Sequence, residues 1–147
     1  MVRSSGSAAR RQYWLVKSEP DAFGWHQQVA SGVEPWTGVR NHMAKNHLKA
    51  MRVGDLAFFY HSGVGRAVVG VVEVARAAYP DPTAESGDWV CVDMRAVGPM
   101  PAAVSLAAMK ADPALEGLAL LRNSRLSVVA VSAAHWAHIC KLGGWPG

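Results

Sequence analysis

The chain has 147 residues, half of them apolar and 18% charged; that is enough for one domain with a proper core, and it excludes a disordered polyelectrolyte. The formal net charge is +4, and Arg3, Arg10 and Arg11 supply three of those positive charges, so the remainder is only weakly basic and permits nucleic acid as a partner without demanding it. The longest apolar run, residues 67–75, is broken by Gly70 and Glu73 and falls well short of the roughly 18 residues of a membrane span.

Residues 1–12 open small, polar and basic, without the apolar core of a secretory signal, and read as a disordered tail. The sequence Tyr13-Trp14-Leu15-Val16-Lys17-Ser18 is aromatic and β-branched and predicts a strand stopped by Pro20. A short helix is expected over 25–30, between Gly24 and Gly32, and residues 34–38 read as a loop. The spacing of Met43, Ala44, Leu48 and Met51 predicts a helix over 41–51 with Lys45 and Lys49 facing out. Residues 56–60 form a near-continuous apolar strand, and residues 62–65 a hairpin turn.

The next strand spans 67–76, where Gly70 predicts a bulge or a close approach by another part of the chain. Pro80 and Pro82 lack N–H donors and are expected to stop it. A further strand runs over 89–97 up to Pro99 and Pro101. Ser105 is a candidate cap for a helix ending near Ala111. Residues 127–131 are the last strand, and Ser132 opens a terminal helix over 133–142, with Gly143 and Gly144 at its end. Clustered antiparallel strands with helices at the ends predict an α+β fold, a partly open barrel of five or six strands plugged by helices.

Catalytic patterns are thin. Gly63-Val64-Gly65 lacks the third glycine of a dinucleotide loop and precedes a strand, not a helix. His135 and His138 share a helix face, but no carboxylate or thiolate nearby completes a zinc site, and an exposed pair is expected. Cys91 and Cys140 belong to no ligand cluster and read as buried free thiols of a reducing compartment. No metal or cofactor is implied.

Six tryptophans in a chain of this size are many. Trp14, Trp25, Trp89 and Trp136 are assigned to the core by default. Trp36 differs, because it lies in the Pro35-Trp36-Thr37-Gly38 loop. It either closes the barrel end or offers a flat face to a ligand, and base–aromatic stacking contributes about 1–3 kcal/mol per base.

The stretch from Tyr13 to Pro20 resembles the YWLxKSEP opening of EVE domains. Trp36-Thr37-Gly38-Val39-Arg40-Asn41, the run from Met51 to Ser62, Ala78 to Ala84, and Leu121 to Val128 resemble later blocks of that family in the same order. The resemblance implies a PUA-like fold, with residues 13–143 as the domain and 144–147 as a C-terminal tail. It further implies kinship with RNA-binding PUA and YTH domains, and a reader of modified bases in nucleic acid, with modified cytosine in DNA as the leading ligand.

On this resemblance, Lys17, Ser18, Glu19, Trp36, Thr37, Asn41 and Tyr79 form the ligand site, with Trp36 and Tyr79 as two aromatic walls. Glu19 stands where YTH domains carry Asn. A carboxylate accepts from an exocyclic amine such as cytosine N4, which favours a cytosine-type base; a structural role beside Lys17, Arg40 or Arg122 is the alternative. Arg40, Lys45, Arg122 and Arg125 are expected on phosphates. The rival readings are a nuclease or hydrolase drawing on His61, Ser62 and Glu19, and an interaction module with a vestigial pocket. The Ala-, Val- and Arg-rich composition suggests a GC-rich bacterial genome and hence the cytoplasm.

Overall fold

The computed structural model describes residues 11–146; Arg3, Arg10 and most of the expected tail lie outside the described residues. A single six-stranded mixed sheet organises the chain, in the order β2-β5-β4-β3-β1-β6. Its strands are β1 (Tyr13–Ser18), β2 (Val33–Pro35), β3 (Leu56–His61), β4 (Ala67–Pro80), β5 (Val90–Ser105) and β6 (Val128–Val131). The helices are α1 (Pro20–Phe23), α2 (Trp25–Ser31), α3 (His42–Ala50), α4 (Leu106–Ala111), α5 (Ala119–Arg122) and α6 (Ala133–Gly143), with a 3-10 turn at Pro113–Leu115. Among the described residues only β1 and β3 pair in parallel; the sheet stays open, with β2 and β6 at its edges. No helix among the described residues is long and apolar enough to cross a membrane.

The expected caps are in place. Ser105 Oγ accepts the Ala108 N–H at 3.0 Å and Ser132 Oγ that of His135 at 3.1 Å, satisfying amide groups that the first helical turn leaves without partners. Gly144 closes α6 in the left-handed conformation. Phe58 stacks on Trp136 with centroids 3.8 Å apart, and Trp136 stacks in turn on Tyr13. Trp14 is buried, and its indole N–H reaches buried Asp55 at 3.1 Å. That carboxylate also accepts from Gln12 and from the Arg52 backbone, so Gln12 is fastened to the body of the domain. Cys91 and Cys140 are buried and free.

Several expectations need correction. Strand β4 continues through Tyr79 and Pro80, paired with Cys91 and Val90. The Asp81 N–H turns toward β5 to meet the Trp89 carbonyl at 2.9 Å, so the alternate position, Pro80, faces the side where β3 has already ended and forfeits no ladder bond. Strand β5 likewise passes Pro99 and Pro101. Pro99 pairs with Gly70 and Val104 with Val68, so the four residues 100–103 bulge out opposite Val69 alone. The loop expected at 34–38 begins as β2, with Pro35 opposite Asp93.

Lys45 does not face out: its side chain is 9% exposed and its ammonium meets Asp88 at 3.0 Å. Trp89 precedes β5 and is half-buried. His42 stacks on its ring, and Arg40 and Lys45 approach it within 5.8 and 5.4 Å of the centroid. His138 is paired with Asp112 at 2.6 Å and so is no simple exposed partner of His135.

Candidate nucleic-acid interface

Strand β1 ends in Lys17-Ser18, and α1 turns back immediately after it. Ser18 Oγ donates to the Phe23 carbonyl at 2.7 Å, which fixes that turn. Phe23 is thereby set edge-on to Trp36, with centroids 6.2 Å apart. Trp36 arrives from β2, and its N–H bonds the Val92 carbonyl at 2.7 Å. Its ring also meets Phe59 edge-on at 5.6 Å. Trp36 is only 8% exposed, so it is anchored in the core and offers just part of its surface outward.

These elements enclose a cavity of about 210 Å³ lined by Lys17, Ser18, Phe23, Glu34, Pro35, Trp36 and Thr37. Pockets for drug-sized ligands run to about 300–1,000 Å³; this one is smaller. Gly38, with φ of +85°, turns the chain out of the cavity wall. Its N–H is held by Asp81 Oδ2 at 2.8 Å. Asp81 also accepts from Arg40 at 3.0 Å and from both the N–H and the hydroxyl of Thr83. Burial alone would raise the pKa of Asp81, but those hydrogen bonds outweigh it and hold the carboxyl well below the usual range.

Of the residues assigned to the ligand, Lys17, Ser18, Trp36 and Thr37 come together here. Glu19 does not line the cavity: it stands exposed at the start of α1, without an ion-pair partner among the described residues. Asn41 caps α3 through Oδ1, 2.9 Å from the Ala44 N–H, and borders a different cavity. Tyr79 is not a wall of the Trp36 cavity. Its phenol donates to Asp93, which raises its pKa, and Arg76 covers its ring at 3.7 Å. Arg40 and Lys45 are committed to Asp81 and Asp88. Arg122 and Arg125, both exposed, line a cavity of about 360 Å³ with Asn41 and Ser124. The Ser124 carbonyl in turn receives the Lys17 ammonium at 2.7 Å.

Residues 12–142 match the EVE domain family. The chain belongs to that family. Among solved structures it is similar to Rpa0253 of Rhodopseudomonas palustris, with 55% identity, a TM-score of 0.87, and coverage of 92% of this chain and 95% of that one. It is also similar to human THYN1, solved in complex with 5-methylcytosine-containing DNA, with 27% identity, a TM-score of 0.81, and coverage of 90% and 97%. The YTH domain of Zygosaccharomyces rouxii MRB1 shares the fold, at a TM-score of 0.59 and 15% identity over 97% of this chain and 90% of that one. The PUA-like architecture of the EVE domain is thereby shown.

Sequence reasoning missed Phe23, Glu34 and Pro35 in this EVE domain's cavity. An aromatic residue three places beyond the KSEP block was a signal for Phe23. Glu34, two residues before the loop tryptophan, was the nearest acid to it in sequence and was passed over in favour of Glu19.

Proposed function

We propose that this EVE domain reads a modified base, a modified cytosine in DNA first among them, by taking one extruded base into the Trp36 cavity. The observation that carries this reading is the cavity itself. It joins an aromatic wall, Trp36 with Phe23, to a carboxylate, Glu34, and a lysine, Lys17, in a volume of about 210 Å³. Aromatic faces stack on any base, and polar groups at the edge select among bases. The Glu34 carboxylate accepts from an exocyclic amine such as cytosine N4, a role assigned on sequence grounds to Glu19. Complex formation by human THYN1 with 5-methylcytosine-containing DNA supports the choice of ligand. Arg122 and Arg125 hold flanking phosphates in this scheme, while Arg40 and Lys45 keep their structural ion pairs.

The reading is one of binding, not turnover. His61 Nε2 accepts the Trp25 N–H at 3.0 Å, so it is not free to take a proton from Ser62 as a general base must. The two buried free cysteines suit a reducing cytoplasmic setting.

Fluorescence anisotropy with single-stranded oligonucleotides differing only at one central cytosine, methylated at C5 or not, tests the proposal. The modified strand is expected to bind more tightly, and excess 5-methyl-2′-deoxycytidine to compete. Equal affinity for both strands, with no competition, overturns it.

A further inference from the structure

Lys17 lines not one cavity but two. The second encloses about 520 Å³, and its other walls include Tyr60, Arg66 and Lys110 on one hand and Leu106, Leu120 and Leu121 on the other. Tyr60 sits beside Lys17 in the sheet, opposite it in the parallel β1–β3 register. Tyr60 as a whole is only 3% exposed, and its hydroxyl, with no hydrogen-bond partner among the described residues, opens onto the cavity. A phenol that opens onto a cavity without a protein partner can give its proton to water or to an entering oxyanion. Burial raises the Tyr60 pKa while Arg66 pulls it down, and the net rise keeps the phenol protonated and a donor at neutral pH.

Cations surround that donor. Lys17 spends one N–H on the Ser124 carbonyl, and an ammonium has three to give. Arg66 uses only Nε, on the Gly63 carbonyl at 3.1 Å, which leaves its two terminal nitrogens. Lys110 is exposed and unpaired among the described residues. No lining residue is acidic. Three cations and an unpartnered O–H donor beside a leucine wall suit an oxyanion carried on a less polar body.

We propose that this cavity is a second subsite, which takes the phosphate of the nucleotide next to the extruded base, with its sugar against Leu106, Leu120 and Leu121. The shared wall at Lys17 gives the strand its path from one cavity to the other. The proposal rests on the base reading of the Trp36 cavity, and it moves part of the phosphate track to Arg66 and Lys110, which sequence analysis did not single out.

An NMR titration of the labelled domain with 5-methyl-2′-deoxycytidine, its 3′- and 5′-monophosphates, and inorganic phosphate tests the subsite. One monophosphate is expected to bind at least about tenfold more tightly than the nucleoside, the scale of charge-assisted hydrogen bonds. Tyr60→Phe is expected to remove much of that gain, and an Arg66→Ala/Lys110→Ala double variant all of it, with nucleoside affinity unchanged. Both cations are exposed, so the double variant keeps the fold. Monophosphates no tighter than the nucleoside, or a gain that survives the double variant, overturn the subsite. If no nucleoside binds while inorganic phosphate binds and loses its site in the double variant, the base reading fails and the strand path with it, leaving a site for free phosphate.

Discussion

Asp81 Oδ2 lies 2.8 Å from the backbone nitrogen of Gly38 and accepts its hydrogen. Through that bond the residue just past β4 holds the loop that carries Trp36 and Thr37. Asp81→Ala removes the acceptor for Gly38, for both Thr83 donors and for Arg40. The Asp81 carboxylate is buried, but the Arg40 side chain is 37% exposed and can turn to water, so the cost is that of the stranded donors, about 1–3 kcal/mol. We expect a loss of that size in urea unfolding and, in the fraction still folded, weaker nucleic-acid binding. A variant as stable as the parent would show that the loop is held elsewhere.

Acid should weaken the fold in two steps. His61 Nε2 accepts the Trp25 N–H, as only a neutral imidazole can. Burial, and then the neighbouring His26, lower its pKa from 6.5; burial does the same for His47. The unfolded chain therefore takes up these protons first, and stability falls as pH drops below about 6.5. Asp81 has a folded pKa below its ordinary 3.8, so the unfolded chain is again protonated first and a second loss begins below about 3.8. Thermal melts from pH 7 to pH 3 should show Tm falling in an upper step below about pH 6.5 and again below about pH 3.8, with the upper step reduced in His61→Gln. A flat Tm between pH 7 and pH 5 would contradict the histidine assignment.

Gly70 marks a point where the sheet and a helix meet closely. A Cβ placed there would stand 2.5 Å from the Trp25 ring, well inside contact distance. Gly70→Ala must displace an aromatic side chain that also packs edge-on against Phe59. Overpacking of this kind typically costs about 1–3 kcal/mol. Chemical denaturation of the variant checks the figure; unchanged stability would mean that Trp25 yields freely.

Selectivity should reside in Glu34 and affinity in Trp36. Glu34→Gln exchanges an acceptor-only edge for one that also donates. We expect the ratio of affinities for cytosine-type and other bases to change more than the tightest affinity itself. Trp36→Phe keeps an aromatic ring on Phe59 and narrows the stacking face, so it should weaken all accepted bases alike, by about 1–3 kcal/mol at most. Calorimetry across a set of modified oligonucleotides separates the two effects. An unchanged ratio in Glu34→Gln would move the edge-reading role to another residue of the cavity, Lys17 or Thr37.

Much of the fold was legible because local chemistry and the final contacts agree. Strand β1 and the Ser105 and Ser132 caps depend only on neighbours in the chain. Pro80 and Pro99 misled because the cost of a missing N–H depends on which side it faces and whether a strand lies there. Lys45 falls on the outer side of its helix by period alone, yet the segment bearing Asp88 and Trp89 folds over it. Glu34 was hidden for a similar reason. Its place in the cavity follows from the β2–β5 register, opposite Met94, a pairing between segments far apart in the chain. Trp36, Thr37, Lys17 and Ser18 were legible through family resemblance, while their wall partner Phe23 belongs to the short helix α1, which periodicity does not mark.

Strand β2 is the rim on which the Trp36 cavity is built, and it is also a free sheet edge. The Trp36 N–H points inward to β5, so at Pro35 the outward position carries a ring nitrogen with no hydrogen. The Pro35 carbonyl is already taken by the Thr37 N–H at 3.1 Å. A passing polypeptide strand therefore finds at Pro35 neither a donor nor a free acceptor with which to extend the sheet. At Pro35 the exposed rim thus lacks the rung on which another copy of the protein would continue the sheet.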